Sequence, residues 1–383
     1  MAVQRNRDLG SSLETVVARA MERRKPLARD EVTTVYRLLN GAADDVPNAT
    51  ADRYGEVAVV NLYDAGDAAS NAGGTEGAGS ARNEAAARGT VPEQALVRTL
   101  AALPDVRGVY VKRRPRTAAR LSDEQTAALA PSRPAWGARS DELAVRENGL
   151  HYLIRPGAGL STGLFPDMRE ARARVRALSS DRAVLNLFAY TCAFGVAAMS
   201  GGATRALNID AARPALQWGQ DNYTLNGLDA DPYDFVYGDV FDWLGRLARR
   251  EARFDLVIAD PPSYSTVKGR RFAASRDYAA LAEACARVVA PGGLLLCCSN
   301  EARQSRRAFQ AACLHGIAAA GRAARVRSYD GAPEIDFPRL PGAEGHLKVL
   351  SLEIGPIATM NTMDKRQLEV KRRHQGVASV TPH

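Results

Sequence analysis

No segment of this 383-residue chain reaches the roughly 18 consecutive apolar residues that a membrane-spanning helix needs. Its first residues, MAVQRNRDLGSS, are polar rather than a charged tip ahead of an apolar stretch. Neither a membrane span nor a secretion leader is expected, and the chain reads as soluble and cytoplasmic. Cysteine is scarce: Cys192, Cys285, Cys297, Cys298 and Cys313 lie in apolar segments without C-x-x-C spacing or paired histidines, so no zinc site or disulfide framework is expected. The G-x-G-x-x-G loop of dinucleotide-binding folds is also missing.

What is present suits a globular protein. With 46% hydrophobic and 25% charged residues the chain can bury a sizeable core, and its length suits two domains. The formal charge is +8, with basic runs at Arg23-Arg24-Lys25, Lys112-Arg113-Arg114-Pro115-Arg116, Lys268-Gly269-Arg270-Arg271 and Lys371-Arg372-Arg373. Such runs are commonly solvated faces. An excess spread over four segments nonetheless favours a polyanionic partner such as nucleic acid.

Residues 11 to 28 carry apolar positions at helical spacing (Leu13, Val16, Val17, Ala20, Met21), and EVTTVYRLLNG follows as a second short element. Arg53-Tyr54-Gly55-Glu56 looks like a tight turn feeding a strand from Val57 to Tyr63. Residues 64 to 90 are rich in Gly, Ala, Asn and Ser and predict a mobile insertion, because a helical stretch (PEQALVRTLAAL) and a strand (GVYVKRR) resume after it. Glu147-Asn148-Gly149-Leu150 predicts a hairpin turn before HYLIR. From about Val184 strands alternate with helices: AVLNLFAY, RALNID, DFVYGD, FDLVIAD, LLLCCSN, RVRSYDG and HLKVLSLEI are the strand segments. That rhythm predicts an α/β fold, a Rossmann-like doubly wound and mostly parallel sheet, which binds ligands at the carboxyl ends of its strands.

Those ends carry the chemistry. The first strand runs out through Asn186, Phe188, Tyr190 and Thr191, keeping only Gly195 of a glycine fingerprint. Asp210 ends the second strand where an acid meets ribose hydroxyls. Asp239 ends the third, placed to accept from the amine of an adenine, and Asp260 ends the fourth. A glycine-poor first loop suits a ligand without a pyrophosphate, which favours S-adenosyl-L-methionine over NAD. In FDLVIADPPSYSTVKGRR, Pro261 and Pro262 fix the backbone after Asp260, so that carbonyls and a carboxylate face a planar base on which Tyr264 can stack.

With these residues in view, the sequence resembles the bacterial class I methyltransferases of 23S ribosomal RNA, the group of large subunit methyltransferases I and K, from about residue 30 onward. The resemblance is carried by TTVYRLLNGAADDVPNATADRYGE, ENGLHYLIRPGAGLSTGLFPDMRE, LNLFAYTCAFGVAA, FDLVIADPPSYS and DFPRLPGAEGHLKVL. It implies that Thr162, Asp167 and Arg169 stand beside the cofactor. Members that make 5-methylcytosine carry a cysteine nucleophile at the end of the strand after Pro-Gly-Gly, where this chain has Asn300 after Cys297, Cys298 and Ser299. The asparagine is similar to the guanine-directed branch. Ahead of the small middle domain the sequence reads only as a polar, basic helical segment, so the N-terminal RNA-binding domain that many relatives carry is not expected here.

The expectation is an S-adenosyl-L-methionine-dependent enzyme that methylates a base of 23S ribosomal RNA at a guanine nitrogen. Residues 1–155 would form a small α+β domain for RNA, residues 156–356 the methyltransferase domain and residues 357–383 a basic tail. Asp260, Pro261, Pro262 and Tyr264 would hold the target base, and Thr162, Asp167, Arg169, Asn186, Phe188, Tyr190, Thr191, Asp210, Asp239 and Asp260 the cofactor, with no metal. Alternatives are cytosine carbon methylation through Cys297 or Cys298, a small-molecule methyltransferase, and a catalytically silent RNA-binding or ribosome-assembly protein. The oligomeric state stays open, a homodimer among the options.

Overall fold

The computed structural model describes residues 2–63, 91–114, 121–267 and 269–357. The insertion expected at 64–90 and nearly all of the basic tail lie outside the described residues. No helix among the described residues is long and apolar enough to cross a membrane.

The first sheet holds β1 (Val35–Asn40), β2 (Ala49–Tyr54), β3 (Val57–Tyr63), β4 (Gly108–Arg114) and β5 (Trp136–Gly137), in that order. β3 and β4 run parallel and the other neighbours antiparallel. Alternation along each strand sends side chains to two faces, and here both faces are covered. Ala49, Ala51, Ala58 and Val60 pack beneath the helices Ala2–Arg23 and Glu93–Ala101, which contribute Leu13, Val17, Leu96 and Leu100. Val35, Tyr54, Val57 and Val59 pack instead with Val145, Leu150 and Tyr152 of the hairpin β6 (Leu143–Glu147) and β7 (Leu150–Ile154), and with Cys192, Val196 and Leu216 of the chain beyond it. EVTTVYRLLNG thus yields a buried strand, and Asn148 and Gly149 take positive φ in the hairpin turn.

The second sheet has seven strands: β8 (Ala183–Leu187), β9 (Arg205–Asp210), β10 (Phe235–Tyr237), β11 (Phe254–Ala259), β14 (Val289–Ser299), β15 (Arg322–Asp330) and β16 (Lys348–Ile357). Their order is β10-β9-β8-β11-β14-β16-β15. The first five are parallel, and β16 inserts antiparallel between β14 and β15. Near-continuous apolar runs form these strands because helices cover both faces, and one core lies on each side of the sheet. The chain winds outward from β8 through β9 to β10, then returns to place β11 on the other side of β8. That reversal opens a crevice beyond the carboxyl ends of β8 and β11.

A buried clasp joins the two sheets. Asp336, fully buried between β15 and β16, takes a bidentate pair from Arg169 at 2.8 and 2.9 Å and the backbone N–H of Arg37 on β1 at 3.1 Å. Its carbonyl accepts from Arg24, whose guanidinium also meets Asp44 at 2.5 Å. Of the basic run at Arg23–Lys25, Arg24 is thus spent inside the fold, while Arg23 pairs with Asp44 at 2.6 Å from a partly exposed position. Within Lys112–Arg114 the first residue is buried, Arg113 pairs with Glu93 and Arg114 donates to Asn61. One residue of each run, Arg24 and Lys112, is therefore buried rather than part of a solvated face.

Candidate active site

The crevice holds a cavity of about 550 Å³, within the span of small-molecule and cofactor sites. The ends of five parallel strands, an approach strap and the segment after Asp-Pro-Pro build it.

The loop after β8 does what a glycine loop does, without glycines. Phe188, Tyr190 and Cys192 take φ of 56°, 48° and 57°, a left-handed region that costs a non-glycine residue about 1–2 kcal/mol. Distant partners hold it there. Tyr190 N–H donates to the Asp210 carboxylate at 2.8 Å, the Thr191 carbonyl accepts from Asn222 at 2.9 Å, and the Thr191 hydroxyl donates to the Gly163 carbonyl at 2.6 Å. Gly195 keeps the close-packing role of a fingerprint glycine: a Cβ there would lie 2.3 Å from Asn208 Oδ1 and 2.5 Å from the Tyr223 hydroxyl.

Asp210 ends β9 with each carboxylate oxygen accepting a backbone N–H, from Tyr190 and from Ala212, both at 2.8 Å. Burial pushes its carboxyl above the ordinary value even against those bonds. Asp239 caps the helix Val240–Arg249 by accepting the Asp242 N–H at 3.0 Å, and the same oxygen takes Arg270 at 2.8 Å. Asp260, at the end of β11, is raised to about 7, first by burial and then by the neighbouring Asp167 carboxylate, with Arg172 opposing. For Asp167 burial also acts upward, yet His346 at 3.0 Å, with Arg37 and Arg172 nearby, holds it below the usual range. Two carboxyl groups facing one cavity are thus pushed apart, Asp167 ionised and Asp260 able to exchange a proton near neutrality.

The strap 161–168 brings Asp167 to the crevice. Gly163 takes a φ of +115° against Trp218, where a Cβ would sit 2.5 Å from the indole. The Leu164 carbonyl accepts from the Tyr54 hydroxyl at 2.9 Å and the Phe165 carbonyl from Arg172 at 2.7 Å.

The cavity brings together Asp167, Phe188, Tyr190, Thr191, Asp210, Asp239, Asp260, Pro261 and Pro262 from the residues expected. Thr162, Arg169, Asn186 and Tyr264 stand outside its lining. Thr162 is buried with its hydroxyl donating to Tyr54 at 3.0 Å, and Arg169 is turned into the Asp336 clasp. Asn186 faces the core, donating to Asn208 at 2.9 Å, and Tyr264 is 62% exposed. The physical reasons are shared: three of these side chains found buried partners inside the fold, and the fourth points to solvent.

The segment after Asp-Pro-Pro, read from the sequence as a cationic loop, is a hairpin of β12 (Tyr264–Val267) and β13 (Arg270–Ala273). Ser265, Thr266, Val267, Arg270 and Phe272 make it a wall of the cavity, with the Phe272 ring packed at a tilt 6.1 Å from Phe188 and 5.9 Å from Phe241. The sequence reading missed this wall, as it missed Arg172 and His346. Arg270-Arg271-Phe272-Ala273 runs two polar and then two apolar residues, without the period-two pattern that marks a strand. Asn300 lines the cavity and accepts from Ser263 at 2.6 Å, whereas Cys297 and Cys298, three and two residues earlier, are fully buried in β14.

Comparison with known proteins agrees with this geometry. A profile of the family described as "S-adenosylmethionine-dependent methyltransferase" matches residues 130–319. The chain is 32% identical over 311 residues to the "Ribosomal RNA large subunit methyltransferase" of Deinococcus radiodurans, covering 81% of this chain and 70% of that one. It is 28% identical over 310 residues to "Ribosomal RNA large subunit methyltransferase I" of Aeromonas salmonicida, covering 80% and 71%. Among solved structures, SMU.776 complexed with SAH superposes with a TM-score of 0.73 at 25% identity, covering 90% of this chain and 81% of that one.

Proposed function

We propose a function from one premise: the chain belongs to the family of S-adenosylmethionine-dependent methyltransferases. It is an enzyme of that family, and S-adenosylmethionine is its cofactor. The residues fit the group. A cavity of about 550 Å³ offers a carboxylate fixed by two backbone N–H groups, a loop held in left-handed backbone at its wall, and aromatic rings for a flat heterocycle. When bound, the cofactor supplies an electrophilic methyl group on a sulfonium centre.

The substrate we infer is a base of large-subunit ribosomal RNA, attacked at a guanine nitrogen. The names of the relatives support the RNA, and the cavity supports the atom. Methylation of pyrimidine carbon needs a thiolate nucleophile, and both Cys297 and Cys298 are fully buried away from the cavity while Asn300 lines it. Burial also pushes the Cys298 thiol well up, further from a thiolate. The observation that carries the reading is Asp260, an acceptor with a value of about 7 beside two proline rings at the cavity wall. It takes a hydrogen bond from an N–H on the edge of the base and, where the attacked nitrogen bears a hydrogen, takes that proton.

In this reading Asp210 holds the ribose, Tyr190 and Thr191 line the methionine side, and Asp239 with Phe241 and Phe272 frames the adenine. Asp167, held ionised, orients the cofactor's ammonium. Positioning supplies most of the rate. Residues 1–155 would carry the RNA contacts, residues 156–356 the methyltransferase unit and the remainder a basic tail.

Mass spectrometry of nucleosides from ribosomal RNA of cells with and without the gene tests the reading. A methylguanosine that disappears with the gene is expected. Loss of 5-methylcytidine instead, or activity abolished by Cys297→Ser or Cys298→Ser, contradicts the nitrogen assignment.

A further inference from the structure

Seven large apolar side chains are exposed among the described residues: Val32, Trp136, Phe165, Tyr233, Tyr237, Tyr264 and Val326. Phe165 alone of these lines the cavity. Its ring is 46% exposed and packs 5.8 Å from Tyr190. A singly exposed apolar residue needs no explanation by itself, but the backbone beneath this one is pinned. Gly163 O, Leu164 O and Phe165 O each accept a side-chain donor from a different element: Thr191 in the loop after β8, Tyr54 on β2, and Arg172 on the helix Arg169–Leu178. A segment so tied fixes where the ring is mounted, and leaving a phenylalanine half exposed forgoes part of the about 1.5–3 kcal/mol that full burial would gain. The rigid strap presents a bare aromatic face at the cavity mouth.

The lining puts that face in one cavity with the Asp-Pro-Pro corner. Phe165, Asp167 and Arg172 share its wall with Asp260, Pro261, Pro262 and Asn300, and Arg172 fixes the Phe165 carbonyl at 2.7 Å. The rings read as framing adenine, Phe241 and Phe272, belong to a separate cluster with Phe188 around Asp239 and Arg270.

We propose that Phe165 is the platform on which the target base stacks when it enters the cavity, the place the sequence had suggested for Tyr264. The proposal rests on the base-methylation reading above and specifies how that base is held. Stacking on an aromatic side chain is worth about 1–3 kcal/mol per base and tolerates any base. Phe165 thus supplies hold rather than choice, and choice falls to the edge contacts of Asp260 and Asn300.

The test compares Phe165→Tyr, Phe165→Leu and Phe165→Ala. The substrate is large-subunit ribosomal RNA from cells lacking the gene, and S-adenosylmethionine binding is measured by calorimetry in parallel. Phe165→Ala and Phe165→Leu should lower kcat/KM for RNA by roughly 5- to 150-fold, the range that stacking energy spans. Phe165→Tyr should stay within about 3-fold of the parent, with cofactor affinity changed less than about 2-fold in all three. Phe165→Leu equal to the parent, or an equal loss in cofactor affinity, overturns the proposal, the second outcome making the ring a cofactor wall. A parent protein that binds no cofactor or methylates no RNA speaks against the functional reading itself, and that is known before any variant is compared.

Discussion

Two loops meet at the cavity from neighbouring strands and reach rigidity by opposite routes. After β11, Pro261 and Pro262 set the backbone by their own covalent rings, so the shape after Asp260 is local and largely independent of its neighbours. After β8, Phe188, Tyr190 and Cys192 hold a left-handed backbone that none of them prefers, and Asp210, Asn222 and Gly163 hold it from elsewhere. One loop is preset by sequence and the other is imposed by tertiary structure. In the proposed reading the cofactor side is thereby made dependent on the whole fold, while the substrate side is built to stay put. Strain of this kind persists where surrounding contacts over-determine it.

The contrast can be broken first at its most reactive point. Asp260→Asn should lower kcat/KM for RNA by about 10²- to 10⁴-fold, the usual range for a lost acid–base group, with cofactor binding kept. Parent activity should rise with pH and level off above about 7, as the carboxylate form becomes populated. Stability responds with the opposite slope. Because the folded value is raised to about 7, the contribution of Asp260 is fully present below the unfolded value near 4 and is lost as pH rises through 7. Urea midpoints of the Asn variant between pH 4 and 8 should lack that decline, and a variant that declines as steeply as the parent would place the titration elsewhere.

The imposed loop should be the more fragile in folding. Cys192→Val puts a β-branched residue at a φ of 57°, in a fully buried position, and should cost about 1–3 kcal/mol by urea unfolding. An unchanged midpoint would mean the loop relaxes at no cost. The preset loop should show the smallest effect. Pro261→Ala removes one ring and should cost less than about 1 kcal/mol, chiefly through added freedom of the unfolded chain. A larger loss at Pro261 than at Cys192 would reverse the comparison.

Sequence legibility followed the same line. The alternation of apolar strands with helices located every strand of the seven-stranded sheet, and three carboxylates at strand ends were placed together because strand ends of a parallel sheet converge. Local chemistry also made the Asp-Pro-Pro corner readable. The left-handed residues after β8 were not, since propensity assigns positive φ to glycine or asparagine and not to Phe, Tyr or Cys. Arg169 was expected at the cofactor but is taken by Asp336, and His346 reaches Asp167 across a comparable separation in the chain. Pairings of such range leave no local pattern. The hairpin Tyr264–Ala273 was hidden for another reason: two four-residue strands around a cationic turn read as a loop.

The most direct measurement of the central idea, that strand-end carboxylates and an imposed loop together form the cofactor site, is calorimetric titration of S-adenosylmethionine into the parent protein and into Asp210→Ala. That substitution removes both the proposed ribose partner and the acceptor that holds the Tyr190 N–H. One binding site is expected in the parent, with affinity lower by about 100-fold or more in the variant, two charge-assisted bonds' worth. Equal binding by the two proteins, or none by the parent, would contradict it.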